Sequence, residues 1–210
     1  MVQKEDFEKV KREDLQYFHS QYYDLANCEI CISGMTNDEQ LNLINKYFGE
    51  QNLSEKETGA ANEHKIVPDE KNTHYINKKD ALQSAFRIGK RMIDKTHEDY
   101  LKANFVNTVL GGFFGSRLMS NLREEKGYTY GVGSGISSYN GGAYFFITSE
   151  VGKDVEGKAI EEVYKELKRL RSEEVKKEEL DLIKNYMLGD FMKRADGPFA
   201  MASLFNNLRE

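Results

Sequence analysis

The chain has 210 residues, 39% of them hydrophobic and 31% charged, with a formal net charge of −5. That composition can bury one sizeable core within a single large domain spanning 1–210, and Lys and Arg scattered along nearly every segment give neither a nucleic-acid footprint nor an acidic tail. The longest apolar runs fall far short of the roughly 20 residues that cross a bilayer, and "MVQKEDFEKVKRED" lacks the apolar centre of a secretion signal, so a soluble chain with no nucleic-acid partner and no membrane span is expected.

The N-terminal stretch reads as a charged helix. In "KREDLQYFHSQYYDL", Leu15, Phe18, Tyr22 and Leu25 recur at helical spacing. "NCEICISG" then sets Cys28, Ile30 and Ile32 against Glu29, Cys31 and Ser33, the period-two pattern of a strand. Cys28 and Cys31 form a C-x-x-C, but redox pairs of this kind open a helix and a zinc site needs a second ligand pair. Ordinary reduced cysteines pointing to opposite sides of a strand are expected. Next, Thr36 and Glu39 stand at capping-box spacing, Leu41, Ile44 and Phe48 share a helical face, and Gly49 ends the run.

Glu50 to Asp80 is polar, holds Pro68 and reads as a long surface connection with a short strand at "HYIN". "ALQSAFRIGKRM" places Leu82, Ser84, Phe86 and Ile88 on one strand face. Thr96 and Asp99 predict the start of a helix carrying Leu101, Phe105, Val109 and Leu110, which breaks at Gly111-Gly112 and resumes as "SRLMSNLREEKG". From Tyr128 the residues alternate around glycines, and Asn140-Gly141-Gly142 turns them into "AYFFITSEV", a β-hairpin. Two helices follow. One carries Val155, Ala159, Val163, Leu167 and Leu170; the other carries Leu180, Ile183, Met187 and Phe191 before Gly197-Pro198 interrupts it. The final "SLFNNLRE" stops inside an apolar-periodic segment with no cap, which predicts a fragment of a longer chain. Helices clustered between hairpin-linked strands predict an α+β fold, a two-layer sandwich of a mainly antiparallel sheet with helices on one face.

The chemistry is less direct. His19, His64, His74 and His97 are scattered, and neither H-E-x-x-H nor H-x-x-E-H occurs. "GVGSG" follows a helix and runs along a strand, the reverse of a dinucleotide fingerprint. "NLREEKGYTYGVGS" places Arg123 and Tyr130 seven positions apart across Gly127. Arg offers a fixed fork of donors and Tyr a hydroxyl, both able to bind a peptide carbonyl or a developing oxyanion. On physics alone the same residues better fit an Arg paired with Glu124 or Glu125 across a helix end and a Tyr packed on a sheet face.

From Lys11 to about Gly49, and again in "NTVLGGFFGSRLMSNLREEKGYTYGVGS", the chain resembles the second, non-zinc domain of the pitrilysin and insulinase family of zinc metallopeptidases, which includes mitochondrial processing peptidase. The resemblance spans nearly the whole chain and is weakest over Glu50 to Asp80. It implies a C-terminal, substrate-contacting domain without metal of its own, with zinc held by H-x-x-E-H in a homologous domain or subunit and two halves closing as a clamshell around an unfolded peptide. It also implies that Arg123 and Tyr130 serve as catalytic and substrate-binding residues. The missing H-x-x-E-H implies no peptide hydrolysis by this chain alone. A non-catalytic structural or partner subunit of the same fold is the alternative.

Overall fold

The computed structural model describes residues 3–23, 28–49, 71–139 and 142–209. The expectations at Leu25, over 50–70 with His64 and Pro68, and at the Asn140-Gly141 turn lie outside the described residues. The chain divides into two compact units, Met1–Glu63 with Phe191–Glu210, and His64–Asp190.

The first unit holds α1 (Lys4–Lys9), α2 (Arg12–Tyr22), α3 (Asp38–Ile44) running on into a π-helical turn (Asn45–Gly49), and α7 (Pro198–Arg209). The capping box of α3 sits one residue beyond the expected Thr36–Glu39. Asn37 Oδ1 accepts from the Gln40 N–H, and Gln40 Oε1 accepts from the Asn37 N–H, both at 3.0 Å. Asn and Gln reproduce the reciprocal geometry at the same spacing, and Asn is among the strongest N-cap residues. Gly197, at φ 85°, and Pro198 at the first helical position explain why the apolar-periodic end becomes a helix of its own.

Two strand expectations are corrected. Cys28 to Ser33 and "HYIN" form no ladder among the described residues. Alternation describes a chain that can half-bury itself, but a strand exists only when a neighbour supplies ladder bonds. Cys28 and Cys31 are both free and exposed, and Tyr75 and Ile76 are exposed as well.

The second unit contains β1 (Gln83–Met92), α4 (Tyr100–Gly111), a π-helix (Met119–Glu125), β2 (Thr129–Tyr139), β3 (Gly142–Gly152), α5 (Glu156–Ser172) and α6 (Lys177–Arg194) as far as Asp190. The strands form an antiparallel sheet in the order β1-β3-β2, with Ile147 opposite Ile88 on one side and Ser134 on the other. On β3, Ala143, Ile147, Ser149 and Val151 are buried while Tyr144 and Glu150 are exposed, so one face of the sheet is covered. The cover comes from α4, the π-helix and α5: Leu110, Leu118, Met119, Leu122, Ala159 and Val163 pack with Phe86, Val132, Ile147 and Val151 into one core. The fold is α+β in two layers.

Local chemistry explains the element ends. Helix α4 starts at Tyr100 with Asp99 as its N-cap residue. Thr96 is not in the helix; its hydroxyl and its N–H donate to Asp94 Oδ1 at 2.6 and 2.9 Å, closing the preceding turn. Val155 likewise sits at the N-cap of α5 and the buried stripe begins with Ala159, followed by Val163 and Glu166. At the end of α4 a Cβ on Gly111 would lie 2.6 Å from Ser134 Oγ and 2.8 Å from Ser134 N, so only glycine lets helix and strand approach this closely. Asn107 Nδ2 donates to Ser134 O at 3.4 Å and Ser134 Oγ donates to Asn107 O at 3.3 Å, fixing α4 to β2.

Candidate functional site

Arg123 and Tyr130 meet. Arg123 lies on the last turn of the π-helix, Tyr130 at the start of β2, and the guanidinium carbon stands 5.0 Å from the centre of the Tyr130 ring. The bend between them depends on Gly127 at φ 63°, a left-handed conformation that costs any side chain with a Cβ about 1–2 kcal/mol. Lys126 N–H bonds Asn121 O at 3.0 Å and Tyr128 N–H bonds Leu122 O at 2.9 Å. These closures are one residue wider than those ending an ordinary α-helix, because the last turn is π-helical.

Strand alternation alone would place Tyr130 on the same face as Val132, which is 6% exposed and in the core; Tyr130 is 88% exposed. The difference is a β-bulge. Thr129 stands opposite Val151 and Val132 opposite Ser149, so β2 spends one residue more than β3 over this interval. The extra residue reverses the parity and turns the phenol outward.

Neither competing structural contact forms. Arg123 makes no ion pair with Glu124 or Glu125, and Tyr130 does not pack on the covered sheet face. Arg123 instead lies over two rings, Tyr130 and, at 4.5 Å, Phe114. Such contacts hold a guanidinium by its face and leave its N–H edge free to donate. Phe114 was not singled out from the sequence. The adjacent Phe113 and Phe114 divide the work: Phe113 stacks on Tyr186 at 4.6 Å, while Phe114, 62% exposed, reaches Arg123.

Two buried polar contacts support the segment carrying Arg123. Arg117 Nε and Nη2 donate to the two carboxylate oxygens of Glu179 at 2.7 and 2.8 Å. Hydrogen bonding from Arg117 holds the Glu179 carboxyl below its ordinary value, and the same bond raises Arg117. Asn121 Nδ2 donates to Glu166 Oε1 at 2.8 Å and to Glu162 Oε2 at 3.1 Å. Partners 41, 45 and 62 residues apart leave no local signal in a sequence.

The arrangement offers hydrogen-bond donors and not metal ligands. Among the described residues no group of three or more His, Cys, Asp or Glu is placed to hold a metal ion, and His19, His74 and His97 are all exposed. The described residues therefore offer no zinc site, and the resemblance assigns that metal to another domain or subunit.

A family model described as the peptidase M16 inactive domain matches residues 9–187. The chain belongs to that family. This M16 domain is of the non-zinc, C-terminal type found in zinc-protease-like proteins. It is 28% identical over 177 residues to the uncharacterized zinc protease YmxG of Bacillus subtilis, covering 84% of this chain and 42% of the relative. It is 26% identical over 191 residues to the non-peptidase homolog YmxG of Helicobacter pylori, covering 89% of this chain and 43% of the relative. The M16 domain thus spans less than half the length of these curated relatives. A crystal structure of a protease from Helicobacter pylori matches with a TM-score of 0.76 and 21% identity over 97% of this chain and 50% of the other, a likeness of fold. Among the described residues no helix is long and apolar enough to cross a membrane.

Proposed function

We propose that residues 1–210 act as one domain, the non-metal half of a zinc metalloendopeptidase that closes with a homologous zinc-bearing domain or subunit around an unfolded peptide. The observation carrying this reading is the pair itself, a half-buried Arg123 guanidinium over the ring of an exposed Tyr130, with the phenol turned out of the sheet by a bulge. The Arg123 edge donates to the substrate backbone and the Tyr130 hydroxyl donates to the oxygen of the scissile carbonyl as negative charge develops there. Zinc belongs to the other half, where it would supply Lewis-acid activation of water. Alone, this chain hydrolyses no peptide.

The test is peptide hydrolysis by the assembly of this chain with its zinc-bearing half. Tyr130→Phe lowers kcat by roughly 10²–10³, the loss measured for one oxyanion donor, and leaves the melting temperature unchanged because the hydroxyl supports nothing in the fold. Wild-type turnover by Tyr130→Phe would remove the catalytic role. A second reading is a non-catalytic partner subunit of the same fold. It draws on the 26% identity to a protein named a non-peptidase homolog, and it predicts that Tyr130→Phe alters neither turnover nor assembly.

A further inference from the structure

We infer that Thr129 and Ser149 are positioning residues for Tyr130, two hydroxyls that lock the bulge and so decide which face of the sheet the phenol occupies. The inference rests on the function proposed for Tyr130. Ser149 is the starting point. It is 4% exposed, on the helix-covered face, between Ile147 and Val151, both 0% exposed, and in line across the sheet with Phe86 and Val132. A hydroxyl is costly in such a place unless it is hydrogen-bonded, and an apolar residue would pack there more simply.

Its bonds lead to the bulge. Ser149 Oγ lies 2.9 Å from Gly131 O and 3.0 Å from Thr129 Oγ1. Thr129 Oγ1 accepts from the Gly131 N–H at 3.0 Å and stands 2.7 Å from Glu150 O and 2.8 Å from Gly131 O. One assignment of the protons satisfies every group: Thr129 donates to Glu150 O, Ser149 donates to Gly131 O, and the Gly131 N–H donates to Thr129 Oγ1. The peptide groups that a bulge leaves without ladder partners are therefore bonded by these two side chains. Tyr130 sits between the clamped residues, its hydroxyl makes no hydrogen bond within the described structure, and its ring meets Arg123 only once the side chain already faces outward. Thr129 and Ser149 act through the backbone on either side of it. Without them the cheaper state is the regular ladder, whose period-two alternation carries the phenol toward the core face and away from Arg123.

The experiment compares Thr129→Val, Thr129→Ser, Ser149→Ala, Tyr130→Phe and the double variant Thr129→Val/Tyr130→Phe in the zinc-bearing assembly, reading kcat, KM and melting temperature. Thr129→Val is expected to lower kcat roughly tenfold to a hundredfold, the scale on which a displacement near 1 Å slows an enzyme. Thr129→Ser, which keeps the hydroxyl, should restore it. In the double variant the Thr129 effect should vanish, because a residue acting only through the phenol oxygen has nothing left to position. Ser149→Ala should shift kcat in the same direction by less, since Thr129 still holds Gly131 N–H; it also serves as the readout if Thr129→Val does not fold. Wild-type kcat in both Thr129→Val and Ser149→Ala beside a slow Tyr130→Phe would overturn the inference and leave the proposed function standing. Additive losses in the double variant would also overturn it. A Tyr130→Phe variant as fast as wild type would remove the proposed function and the positioning role together.

Discussion

The Arg117–Glu179 pair yields an asymmetric stability prediction. The Arg117 side chain is 6% exposed and that of Glu179 27% exposed, and Arg117 Nη1 has no hydrogen-bond partner among the described residues even with the pair intact. Glu179→Ala therefore strands a buried guanidinium, which costs roughly 3–5 kcal/mol. Arg117→Ala leaves a carboxylate that still reaches water, and its cost is about 2–3 kcal/mol for the lost charged hydrogen bonds and packing. For a chain of this length each kcal/mol moves the melting temperature by roughly 2–4 °C, so the two variants should separate by several degrees. Replacing both residues with leucine removes the charge and the need for it together, and should cost less than Glu179→Ala alone. The chain has no Trp, so far-UV circular dichroism is the practical probe of thermal and urea unfolding. An Arg117→Ala variant less stable than Glu179→Ala, or a double-leucine variant less stable than either, would refute this account of the pair.

The same pair sets a pH dependence. Because Arg117 holds the Glu179 carboxyl below its ordinary value, the stabilisation is whole above the unfolded value of about 4.3 and drains away as pH falls through the lower folded value; urea midpoints should show a shallower acid loss for Glu179→Ala than for wild type. Gly111→Ala should lower stability by about 1–3 kcal/mol, read by thermal melting, since the new methyl meets Ser134 backbone at 2.8 Å; an unchanged melting temperature would contradict the close approach of α4 to β2. Phe114→Leu should raise KM several-fold in the zinc-bearing assembly with kcat near wild type, because the ring restrains Arg123, whose face contact is worth about 0.5–1 kcal/mol at an exposed site; a change confined to kcat would contradict that role.

Patterns that a segment can satisfy by itself were legible. The apolar spacing of α2, α4, α5 and α6 marked helices because one face every 3.6 residues suffices, and the alternation in Gln83–Met92 marked a strand whose ladder with β3 does exist. The identical alternation at Cys28 to Ser33 forms no ladder among the described residues, since periodicity says how a chain can be buried and not whether a neighbour arrives. The candidate site divides in the same way. Gly127 could be read as the bend bringing Arg123 back toward Tyr130, because a left-handed turn is a local property of glycine. The outward phenol could not, because the face Tyr130 occupies depends on the register between β2 and β3, and a bulge of one residue inverts what simple alternation implies. The groups that hold that register and the segment carrying Arg123, Ser149 with Thr129, Glu179 with Arg117, and Glu166 with Asn121, lie 20, 62 and 45 residues apart. Hydrogen bonds across such separations arise only once packing has brought the elements together, so tertiary structure alone decided them.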